Sequence, residues 1–139
     1  MGGALWLIAS GCAGTPGPGD PSYPYNVSGS YGGRFMIDDQ PFNATLQLRT
    51  TSGGRVSGAI RVSMPVETEG RVVGTVFDDL LRVTITYRDP SGCEGSIEGI
   101  VTIERGGGTI DGPVTVTDCS GPIAGRMSFR RTERAPGQR

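Results

Sequence analysis

The chemistry open to this chain rests on carboxylates, tyrosines, arginines and three cysteines. It has no His, and all 13 of its basic residues are Arg. A Ser-His-Asp or Cys-His nucleophile, a Schiff-base lysine and a histidine-ligated metal are therefore excluded. Acidic residues gather in the segments between apolar runs: Asp38, Asp39, Glu67, Glu69, Asp89, Glu94 and Asp118. Paired carboxylates can hydrolyse glycosides and clustered ones can hold Ca²⁺, but no Asp-x-Asp-x-Asp-Gly spacing occurs. They read first as solvated surface and second as a docking face for a cationic protein or peptide. No metal site, cofactor or enzymatic activity is expected, and a net charge of −1 offers nothing to attract nucleic acid.

The cysteines point to an address. Ala4-Leu-Trp-Leu-Ile-Ala9 is a short apolar run, followed by Ser10-Gly11-Cys12. Small residues ahead of a Cys resemble the lipobox of bacterial lipoproteins, in which the chain is cut before the Cys and its sulfur receives a diacylglyceryl group. This sequence departs from that pattern in having Ala9 where Leu is usual and in lacking a positive leader. The resemblance implies lipidation of Cys12, a membrane partner reached through that anchor, and an extracytoplasmic place in the bacterial cell envelope. Lipidating Cys12 leaves Cys93 and Cys119, each two residues ahead of a Gly in an equivalent setting, Cys93-Glu-Gly95 and Cys119-Ser-Gly121. They are expected to form a disulfide, with two buried thiols as the alternative.

The rest of the chain repeats Gly-x-(Ile/Val)-x-Gly-x-(apolar), as in Gly54–Ile60, Gly70–Val76, Gly95–Val101, Gly108–Val114 and Gly121–Met127. Gly29–Phe35 is an aromatic version. Alternation of this kind marks a strand with one buried face. With two further alternating stretches, the expectation is eight strands at roughly 29–37, 42–49, 54–63, 70–77, 80–88, 95–104, 108–117 and 121–131. Short connections at Asp78-Asp79 and Gly106-Gly107 keep the apolar phase, as hairpin turns require. The fold is all-β, an eight-stranded antiparallel up-and-down β-barrel, with a β-sandwich as the alternative. The organisation is a leader over 1–12, an extended tether over 13–26, the barrel over 27–131 and a disordered tail over 132–139.

In strand number and order, residues 27–131 resemble the meander barrels of the calycin group (lipocalins, fatty-acid-binding proteins, avidins). Those barrels open with Gly-x-Trp and lay an Arg of the last strand over the ring. Here Gly29-Ser30-Tyr31 and Arg131 hold those places, with Tyr for Trp. The resemblance implies a closed end sealed by the Tyr31–Arg131 pair.

A barrel of eight strands is just wide enough to be filled by side chains or to hold one small ligand. The second Gly of each repeat, such as Gly33 or Gly58, is expected to leave volume at mid-barrel. Candidate ligand contacts are Tyr31, Phe35, Phe42, Tyr87, Met127 and Phe129, with a Tyr31 or Tyr87 hydroxyl as the polar handle. Two functions stay open: an envelope-tethered carrier of a small apolar ligand, or a structural or protein-binding lipoprotein with a filled core and acidic contact loops.

Overall fold

A computed structural model describes residues 15–134. Its strands are β1 (Gly29–Ile37), β2 (Gln40–Thr50), β3 (Arg55–Met64), β4 (Thr68–Phe77), β5 (Leu80–Arg88), β6 (Glu94–Ile103), β7 (Thr109–Asp118) and β8 (Gly121–Arg134). Each pairs antiparallel with the next, and β8 returns to β1, so the sheet closes into a barrel with no free edge. The barrel expectation holds; the sandwich does not.

The alternation sets which side chains enter. On β5, Leu81, Val83 and Ile85 are buried while Arg82 and Thr86 are exposed. On β2, Ala44, Leu46 and Leu48 point in and Thr45, Gln47 and Arg49 point out. The hairpin registers agree with the sequence phase: Val76 faces Leu81, and Ile103 faces Ile110. Strand β2 starts earlier than expected, because Asp38 and Asp39 both take positive φ and pair Ile37 with Gln40. Two consecutive residues with positive φ make the tight turn whose twist matches that of the flanking strands.

The inner glycines act differently from expectation. A methyl group at Gly58 would lie 1.9 Å from the Gln47 carbonyl oxygen of the neighbouring strand. One at Gly33 would lie 2.1 Å from the Ser128 oxygen and 2.9 Å from the Phe129 ring. These positions let the sheet bend hard and let strands and rings close over the gap. They leave no ligand volume at mid-barrel.

Two boundaries differ from expectation. Residues 15–26 do not extend as a tether. Successive turns, with bonds from Asp20 N to the Gly17 oxygen and Tyr23 N to the Asp20 oxygen, fold this stretch against one end of the barrel. Val27 inserts fully into the core, and Tyr23 and Tyr25 pack on it. At the other terminus β8 runs on through Arg134, so residues 132–134 are strand and not tail. Cys12 and the leader lie outside the described residues.

Candidate ligand site at the open end

The barrel has two unlike ends. The first gathers the start of β1 and the end of β8, and polar groups seal it. The Arg131 guanidinium carbon sits 5.4 Å from the Tyr31 ring centroid, the contact that the resemblance to calycin barrels implied. The guanidinium also donates to the carbonyls of Asn26 (2.7 Å) and Gly106 (3.0 Å). The buried Tyr31 hydroxyl donates to the Gly107 carbonyl at 2.6 Å. Burial pushes the Tyr31 phenol above its ordinary pKa, against the pull of the nearby Arg131 charge.

The N-terminal cap is tied into the same network. The Asn26 amide donates to the Pro18 and Asp20 carbonyls, each at 3.1 Å. Its oxygen accepts from Ser28 N at 2.8 Å, while the Ser28 hydroxyl accepts from Thr50 N at 2.8 Å. Among the described residues, Asn26, Ser28 and Thr50 are the buried polar ones. Sequence reasoning passed over Asn26 and Ser28, because the stretch that follows the prolines has no periodicity to read, and over Thr50, because the apolar pattern of β2 ends at Leu48.

Above this seal the interior is solid. Tyr31, Met127 and Phe129 are each 1% exposed. Phe129 meets Phe35 edge-on, with centroids 5.3 Å apart and planes at 69°. Of the six expected ligand contacts, these three belong to the filled half.

The other half is open. A cavity of about 570 Å³ begins at Phe35 and widens to the loops at the far end. Its apolar wall includes Ile37, Phe42, Ile60, Val62, Ile85 and Ile97. The other three, Phe35, Phe42 and Tyr87, line this cavity, together with aliphatic residues that were not among the expected contacts. Ile123, counted as interior by phase, is 37% exposed at the mouth. The question of a filled core or a cavity thus resolves by height: filled below Phe35, open above.

Tyr87 is positioned by a glycine. It pairs with Gly95 across β5 and β6, and its ring covers the bare Cα there. Burial raises the Tyr87 pKa first, and the negative charges of Asp118 and Asp89 raise it further. A phenol loses its proton less readily when it is desolvated and faces anions.

The acidic residues divide into groups. Asp38, Asp89 and Asp118 line the cavity. Glu69 pairs outside with Arg61 at 2.7 Å, and Glu94 pairs with Arg88; Asp39 and Glu67 are exposed. The Asp89 carboxylate accepts from the Ser91 hydroxyl and from the backbone N–H groups of Ser91 and Cys93. These bonds hold it below the usual carboxylate range, the Ser91 hydroxyl contributing most. Asp118 accepts from Ser120 N at 2.7 Å. Among the described residues no group of three acidic or cysteine side chains could hold a metal ion.

The two cysteines are bonded, Cys93 to Cys119, with Cα atoms 6.0 Å apart. The bond links the loop after β5, which carries Asp89, to the turn that follows Asp118 at the end of β7. Two walls of the mouth are thereby fixed to each other.

No family model matches the chain, and no curated protein matches it. Solved structures do match in fold. EF1p2_mFAP2b, solved bound to DFHBI, superposes with a TM-score of 0.60 at 12% identity, over 76% of this chain and 94% of that one. A redesigned β-barrel, mFAP1, also bound to DFHBI, gives 0.55 at 16%, over 76% and 94%. A de novo designed fluorescence-activating β-barrel gives 0.54 at 17%, over 76% and 93%. At these identities the likeness defines the class, a closed antiparallel β-barrel, and nothing narrower.

Proposed function

We propose that this chain is a non-enzymatic carrier or sensor that holds a small apolar ligand in the open half of its barrel. One observation carries the reading: a cavity of about 570 Å³, walled by aliphatic and aromatic side chains and open at one end only. That volume falls in the range of small-molecule sites, which are largely apolar with a few convergent polar groups. The likeness in fold to two barrels solved bound to DFHBI supports occupancy by a small molecule.

The lipobox-like Ser10-Gly11-Cys12 supports an envelope lipoprotein. The first described residues lie at the sealed end, so an anchor at Cys12 would turn the mouth away from the membrane. The disulfide agrees with an oxidising, extracytoplasmic setting.

The test is a native mass spectrum of protein purified without detergent, followed by titration with the neutral dye Nile red. A co-purifying small molecule, or saturable dye binding abolished by Val62→Arg and by Phe42→Arg, supports the carrier reading. An empty barrel whose dye response ignores both substitutions removes it and moves the function to the loops. A diacylglyceryl mass at Cys12 on protein from a bacterial envelope tests the anchor separately.

A further inference from the structure

The mouth differs from a plain apolar pocket in its charge. Asp38 and Asp89 lie in two separate connections and Asp118 ends β7, yet all line the same cavity. No Arg is among the described residues that line it. Two cations near that end are engaged outside, Arg61 with Glu69 and Arg88 with Glu94, and Arg71 is exposed on the outer face of β4. The rest of the lining is mostly apolar, with the Tyr87 phenol and the uncharged side chains of Gln40, Thr68 and Ser91. The carboxylates alone would be a solvated rim; over an apolar cavity they set what kind of molecule fits it.

We infer that the ligand is a cationic amphiphile, with an apolar body between Ile37, Phe42 and Val62 and a protonated amine or quaternary ammonium head among Asp38, Asp89 and Asp118. This rests on the reading of the cavity as a ligand site and names the chemistry of its occupant. An anionic amphiphile, such as a fatty acid, would bring its carboxylate against three like charges. A cation gains from all three. The carboxylates are pre-set for this role, because turn hydrogen bonds from Ser91, Cys93 and Ser120 hold Asp89 and Asp118 in place. The aromatic faces of Phe42 and Tyr87 add attraction for a cation at the mouth.

The experiment titrates the full chain with three probes of equal tail length below their micelle concentrations: decyltrimethylammonium, 1-decanol and decyl sulfate. Calorimetry should give the cation about tenfold tighter binding than the alcohol, from several weak exposed charge contacts acting together, and the sulfate the weakest. The combined variant Asp38→Asn, Asp89→Asn, Asp118→Asn keeps the acceptor oxygens of the turns. It should bind the alcohol as before while losing the ranking. Raising salt on the unmodified protein should shrink the cation advantage, which needs no variant to fold. Equal affinity for all three probes overturns the inference and leaves the carrier reading standing. Binding of none overturns both. A cation preference that survives the Asn variant, or that is indifferent to salt, also overturns it.

Discussion

The Tyr87 ring occupies the space into which a side chain at Gly95 would project: a methyl group there would lie 2.4 Å from both Cζ and Oη of the phenol. A bare Cα on β6 thus seats an aromatic from β5 at the lip of the cavity, a known way of covering a glycine in a sheet. Gly33 and Phe129 repeat the device lower in the barrel. Glycine spacing therefore decides where the rings sit, and with them the height at which the core stops being solid.

Gly95→Ala should displace the Tyr87 ring and destabilise the fold by about 1–3 kcal/mol, the usual cost of overfilling a packed site. Urea denaturation measures it. The double variant with Tyr87→Ala should recover part of the loss, because the clash goes with the ring. A Gly95→Ala protein as stable as the parent contradicts this account.

Removing the Cys93–Cys119 bond should cost roughly 3 kcal/mol in the chain-entropy account, for a sequence separation of 26. The check is a pair of urea curves with and without reductant, repeated on Cys93→Ser/Cys119→Ser. Because the bond joins two walls of the mouth, Nile red affinity should fall as well, even where the barrel stays folded.

The sealed end should separate stability from binding. Tyr31→Phe leaves the Gly107 carbonyl without its phenol donor and should cost about 1–3 kcal/mol. Arg131→Met strips the Asn26 and Gly106 carbonyls of a charged donor and should cost at least as much. Neither should change ligand affinity, since the solid half lies between this network and the cavity. A variant at Tyr31 or Arg131 that alters affinity without altering stability would contradict that separation.

Stability should be flat across neutral pH, because the chain lacks His and Lys. Burial raises the Tyr31 pKa in the fold, so its contribution is full below the free phenol value. That contribution is lost as pH climbs through the raised value, beyond about pH 10. Tyr31→Phe should flatten this alkaline limb. In the other direction, Asp20 and Asp89 are held below the usual carboxylate range. Their contribution is present above about pH 4 and disappears as pH falls through the lowered values. Asp89→Asn should weaken the acid limb. Urea midpoints taken from pH 2 to pH 11 test both signs.

Alternation in the sequence determined the strands and their facing, because a period of two leaves a barrel strand one choice of inner side chains. The sequence also made the Cys93–Cys119 bond the expected one, through cysteine parity and equivalent repeat positions, and set the acidic loops at one end; the Tyr31–Arg131 pair came from the resemblance to calycin barrels. What the sequence could not supply was height along the barrel axis. Phe129 and Phe42 belong to the same alternating set, yet the closed sheet buries the first against Phe35 and leaves the second on the cavity wall. The same limit hid the role of residues 15–28, whose turns have no period, and it made inner glycines look like empty volume. Their neighbours across the sheet decide whether a missing side chain is a gap or a seat for another residue, and closing the barrel brings those neighbours together.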